Sequence, residues 1–345
     1  MSIEKKVIGQ LEKCYSLAVL PYQGKEYLLV AAEKVNQCRL YDWTGMLKDI
    51  VWDEPGGAMS LVPVPEKEGQ FLATHRFYSP NDSASASIVS VTAENGEWKV
   101  RTLAELPFVH RFGILKGEDG WYILACTLKS GHQYKDDWSS PGKVYAAKLP
   151  EDVTVYDQGN TLKMDVIKEN MLRNHGYFQV DGADAYALVT CDSGVYKFQP
   201  PKKNETAWHI EQLTKDPTSD AALASIGNAA QEWLLALSPF HGDTVYLYRH
   251  TENGFIKEYT YPEKLEFLHA ITVGEYKGEK AFFVGNRKGE RKLLAFILTA
   301  DGKWKTVEID EGAGAANVLF YQKNGTDILA AANRESDEIA LYTLK

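Results

Sequence analysis

The sequence predicts an all-β protein, a single seven-bladed β-propeller of four-stranded antiparallel blades spanning residues 1–345. Three observations predict it: a short, very apolar strand recurs seven times, a second strand precedes each copy across a turn, and helical periodicity is absent. The recurring strands are YLLVAA from Tyr27, QFLATH from Gln70, WYILACT from Trp121, AYALVTC from Ala185, EWLLALS from Glu232, AFFVGN from Ala281 and DILAAAN from Asp327.

Aligning the strands that precede them, from YSLAVLPY to ANVLFYQ, places Tyr15, Met59, His110, His175, Ala221, His269 and Ala316 at one repeat position. An amphipathic third strand follows each pair, for example CRLYDWTG, and then an edge-like fourth such as WKVRTLAEL. The inner strands are nearly continuous apolar runs, as expected where neighbouring blades cover both faces. Outer strands alternate because they are half exposed. The seventh unit stops at its third strand, IALYTLK, and the N-terminal KKVIGQLEK is expected to supply the missing outer strand and close the ring. Blade three is the longest, with an insertion, KSGHQYKDDWSSPG, between its second and third strands.

Composition narrows the function classes. With 44% hydrophobic and 25% charged residues the chain can build a large core without staples. A net charge of −9 argues against a nucleic-acid or anionic-membrane binder, which needs a positive footprint. No run approaches the roughly 18 apolar residues of a membrane span, and MSIEKKVIGQ lacks the apolar core of a secretion signal. A cytoplasmic location is the expectation. Cys14, Cys38, Cys126 and Cys191 have no paired spacing and read as buried thiols. Oligomeric state is not legible.

In an antiparallel meander the start of the first strand, the end of the second and the loop to the third share one end. Six of the eight histidines map there. His110, His175 and His269 hold the same repeat position beside the channel axis, His75 ends a second strand, and His132 and His241 lie in following loops. Converging imidazoles suit a divalent transition metal such as Zn, Mn, Fe or Ni, so His110, His175 and His269 are expected ligands, with His241 a fourth. His75, His132, Tyr134, Arg76 and Asp137 are the candidate catalytic groups for moving protons or holding an oxyanion. Arg287, Arg334, Asp192, Trp138 and Phe240 are the candidate substrate-binding groups, through charge, hydrogen bonds or ring stacking. No P-loop, GxGxxG turn, nucleophile elbow or EF-hand loop occurs, so no nucleotide cofactor is expected.

The segments THRF, VHRFG, CDSGVYKFQP, LLALSPFHGD and VGNRKGERK resemble FG-GAP/VCBS-like bacterial propellers related to aldos-2-ulose (anhydrofructose) dehydratase. Propeller polysaccharide lyases are similar in outline. The resemblance implies a metal-assisted lyase, dehydratase or isomerase acting on a keto-sugar or uronide. The chain departs from that group in lacking Asp-rich FG-GAP calcium loops and the larger dehydratase's extra domains. A sugar-binding lectin or a protein-interaction propeller is the non-catalytic alternative, and a metal-dependent lactonase or hydrolase the second enzymatic one.

Overall fold

A computed structural model describes residues 3–35, 37–227 and 231–344. Its strands form seven four-stranded antiparallel sheets, each a meander in chain order except the last. In that sheet Glu4–Gln10 pairs with Glu338–Leu344, so the N-terminal strand is the outer strand of blade seven. One strand from the start of the chain thus clasps three from its end, closing the ring by backbone hydrogen bonding.

Burial follows the strand order within each blade. Second strands end in runs of buried residues, as in Lys25–Ala32, Gly120–Thr127 and Thr326–Asn333, while the outer strand Glu4–Gln10 is mostly exposed. Large side chains pack between adjacent blades: Phe282 and Phe296 meet Trp233 and Leu235, and Phe71 meets Leu29 and Leu40. The only helix among the described residues is a 3₁₀ turn, Val153–Val155, capped by Asp152. It lies between the third and fourth strands of blade three, so that blade's extra length is divided between this segment and the expected insertion. Among the described residues no helix is long and apolar enough to cross a membrane.

Two backbone devices repeat around the axis. Lys13, Gly57, Phe108, Arg173, Phe267 and Gly314 all have positive φ, each two residues before the aligned position of its blade. The left-handed step turns the incoming chain into the innermost strand. Register then shifts across Tyr15, His110 and His269, which are the extra residues of β-bulges. A bulge re-aims one side chain without moving the rest of the strand. These three side chains are thereby aimed toward the axis.

Candidate active site

At one end of the channel, His175, His241 and His269 offer ligand atoms that all lie within 4.8 Å of one another. His175 and His269 are only 1% and 3% exposed. Each aligned imidazole reaches to the next blade. His110 Nδ1 donates to the His175 carbonyl at 3.1 Å, His175 Nδ1 to Asp220 at 2.9 Å, and His269 Nδ1 to the Ala316 carbonyl at 2.6 Å.

These acceptors settle the tautomers, because a carbonyl or carboxylate oxygen requires the proton on Nδ1. Burial, reinforced by neighbouring charges, pushes His110, His241 and His269 well below the usual histidine pKa, so their rings are neutral. A neutral ring protonated on Nδ1 presents a bare Nε2 lone pair. His175 Nε2 lies 3.2 Å from His241 Nε2, and His269 Nε2 accepts from the Tyr15 hydroxyl at 3.0 Å. A single proton bridges each of these contacts, from His241 Nε2 in the first and from the Tyr15 hydroxyl in the second, and a cation can take the place of such protons. Imidazoles backed by a carboxylate or carbonyl are also the usual supporting arrangement of a metal centre. The donor set therefore fits a borderline divalent ion. Metal–nitrogen bonds of about 2.1 Å space tetrahedral ligands about 3.4 Å apart. The His175–His241 pair meets that spacing already, and the widest separation must contract.

Asp220 anchors the group. Burial alone would raise its pKa, but the His175 imidazole and the Ser219 hydroxyl, 2.6 Å away, outweigh that and hold the carboxyl low. Gly176, next to His175, lets three backbones meet: a Cβ there would come within 2.4 Å of Thr190 Oγ1 and 2.7 Å of the Ser219 carbonyl.

An aromatic collar caps the imidazoles. Phe240 packs edge-on to His175, Trp138 to Phe240, Phe77 to His110, and Phe267 stacks on His241 at 4.3 Å. On the other side lies a cavity of about 280 Å³ in the channel, lined by His269, Asp220, Arg111, Asn317, Ser60 and Thr272 among others. The site meets this channel through His269 and Asp220, beneath the aromatic collar. Phe240 and His241 both have positive φ, backbone strain that the loop accepts in bringing both rings to the axis.

Other expected residues lie apart from this centre. His110 stacks beside His175, ring centroids 4.6 Å apart, but is outside the convergent trio. Strand alternation sends His75 toward blade one, where it packs on Trp52; with Arg76 it lines a side groove of about 500 Å³. His132 packs on Phe108, and Tyr134 is 67% exposed. Asp137 is consumed by the insertion itself, accepting from the Gln133 and Ser139 amides at 2.9 Å. Those bonds hold its pKa low. Arg287 and Arg334 share Glu335, each at 2.8 Å, and Arg334 also pairs with Glu33, so both are blade-to-blade ion pairs. Asp192 pairs with Arg173 at 3.5 Å, and Arg173 lies over Trp138 and Phe240. Trp138 and Phe240 thus belong to the collar.

The sequence reading missed Tyr15, Arg111, Asp220 and Asn317. Tyr15 and Arg111 had a signal, since one holds an aligned position and the other follows His110. Asp220 and Asn317 are each one residue away from such a position, and only the folded ring shows that they face it.

His75 gives a test of the burial account. Burial first, and the Arg76 charge second, push its pKa from 6.5 down to about 3, and its Nε2 has no partner. The unfolded chain takes up a proton below pH 6.5 that the folded chain refuses until about pH 3, so stability falls as pH drops through that window. Replacing it, His75→Phe, should leave stability near neutral pH almost unchanged. The acid slope should become shallower by about 1.4 kcal/mol per pH unit, read by urea unfolding at several pH values between 7 and 4.5. An unchanged slope would contradict the assignment.

The chain is thus a seven-bladed propeller with a histidine-capped channel. A selenomethionine-substituted virginiamycin B lyase from Staphylococcus aureus shares this fold, with a TM-score of 0.59, 18% identity and alignment over 100% of this chain and 99% of that one. A streptogramin B lyase structure aligns with a TM-score of 0.57 at 17% identity, covering 100% and 99% of the two chains. No family model matches the chain and no curated protein is similar to it in sequence, so the resemblance to the aldos-2-ulose dehydratase group gains no support there.

Proposed function

We propose that the chain is a metal-assisted carbon–oxygen lyase that takes a small keto-sugar or uronide into the channel and removes a proton beside its carbonyl. The observation that carries this reading is the convergence of His175, His241 and His269, two of them backed by Asp220 and the Ala316 carbonyl, beside a small cavity that His269 and Asp220 line. The two solved lyases on the same fold support the reaction class. A cavity of about 280 Å³ suits one small molecule.

His175, His241 and His269 would hold the ion, which supplies Lewis-acid polarisation of the substrate oxygen when bound. Tyr15 is the proton carrier of the arrangement. Its hydroxyl lies 3.4 Å from Arg111 Nη2 and 3.0 Å from His269 Nε2, a contact that the hydroxyl would give up when His269 Nε2 holds the ion. Burial raises its pKa to about 12, while the Arg111 charge works in the opposite direction and favours the phenolate. Proton loss beside the carbonyl gives an enolate, which expels the β-oxygen substituent and leaves a conjugated double bond.

That product absorbs in the ultraviolet. Incubating the protein with keto-sugars and uronides should give a rise in absorbance that Tyr15→Phe reduces by 100-fold or more. Saturable binding of the same sugars without any unsaturated product would place the chain among sugar-binding propellers instead.

A further inference from the structure

Arg111 lies across the channel from blade three. Its Nη1 donates to the Met59 carbonyl, and its Nη2 to Asn317 Oδ1 at 3.0 Å and the Tyr15 hydroxyl at 3.4 Å. Its guanidinium also lies over the Tyr15 ring, 5.3 Å from the centroid. Every one of these partners is neutral. No carboxylate among the described residues forms an ion pair with Arg111, whereas Arg287 and Arg334 nearby are each paired with glutamates. A guanidinium carries five N–H groups. Three are used in these bonds, so two remain without an acceptor among the described residues.

A half-buried cation with neutral partners and spare donors, on the wall of a cavity, lacks an anion. The cavity supplies further polar groups around it: the Asn317 amide, the Ser16 and Ser60 hydroxyls on neighbouring blades, and Thr272. Asn317 is held in place by donating to the Tyr15 carbonyl at 2.9 Å. Asp220 lines the same cavity and feels the Arg111 charge, but it makes no ion pair with it, its carboxylate being engaged by His175 and Ser219.

We propose that Arg111, with Asn317 beside it, seats the carboxylate of a small monocarboxylic acid in the channel, so that the substrate is a sugar acid or uronide and not a neutral keto-sugar. This deepens the lyase reading and rests on it for what happens to the acid after binding. One guanidinium matches a single negative charge, and the Asp220 carboxylate on the same wall opposes a second. A phosphate dianion would leave charge uncompensated in a confined, partly desolvated space.

Binding of matched pairs tests the seat: D-glucuronate against D-glucose, 2-keto-D-gluconate against D-fructose, and glycolate against ethylene glycol, with inorganic phosphate alongside. In calorimetric titrations at least one acid should bind tenfold or more tighter than its neutral counterpart, and tighter than phosphate. Arg111→Met should abolish that preference and Asn317→Ala should weaken it several-fold, with thermal melts confirming that each variant folds. Should Arg111→Met fail to fold, Asn317→Ala and Arg111→Lys carry the test. The seat is overturned if no acid outbinds its neutral partner, if the preference survives loss of Arg111 and Asn317, or if phosphate binds more tightly. Acid preference without unsaturated product sinks the lyase reading alone, and lyase activity on neutral sugars alone sinks the seat alone.

Discussion

Replacing Asp220 with asparagine, Asp220→Asn, should weaken transition-metal binding by 10- to 100-fold and lower stability by about 2 kcal/mol. The first effect follows from removing the carboxylate behind His175 Nδ1, which orients the ring and makes Nε2 more basic. The second follows from exchanging a charge-assisted bond between buried groups for a neutral one, in a place that water cannot repair. Competition with a chromophoric chelator measures the first effect, and urea unfolding with and without metal measures the second. An affinity equal to that of the wild type would mean that the Asp220–His175 couple only stitches blade four to blade five.

Substituting alanine at Gly176 should be costlier to the fold. The added Cβ would meet Thr190 Oγ1, the Ser219 carbonyl and the Asp220 Cα, the last at 2.8 Å, so the backbones of two blades must separate. Overpacking of this kind costs about 1–3 kcal/mol, and here it also pushes Asp220 away from His175. Gly176→Ala should therefore lose both stability and metal affinity. Gly131→Ala is the control. Its nearest neighbour to an added Cβ is Ser140 Oγ at 3.7 Å, and thermal melting should place it within about 0.5 kcal/mol of the wild type.

The architecture was legible because burial imposes a pattern that repeats. Seven strands such as YLLVAA and AFFVGN are nearly continuous apolar runs, as expected of strands covered on both faces, and the truncated seventh unit required KKVIGQLEK to supply its outer strand, which the structure forms as Glu4–Gln10. The alignment also put Tyr15, His110, His175 and His269 at one position, which the ring brings round one axis.

The direction of individual side chains was not legible. A bulge at His110 or His269 breaks the period of two without leaving a mark in composition. His75 and Arg76 end a second strand at the expected end of the blade, yet alternation turns His75 outward to Trp52. Asp137 looked like a spare carboxylate and is a turn former, its oxygens taken by backbone amides four residues before and two after it. Arg287 and Arg334 looked available until Glu33 and Glu335 came beside them from distant positions in the chain. Arg111 stood out only once its partners proved to be neutral.

Metal content tests the central claim most directly. Protein purified without a histidine tag and dialysed against a trace of Zn²⁺ or Mn²⁺ should retain about one equivalent by elemental analysis. A His175→Ala/His269→Ala double variant with an unchanged β-sheet circular dichroism spectrum should retain none. Equal metal content in the two proteins, or none in the wild type at any pH between 6 and 8, would contradict the account of the imidazoles as a metal centre.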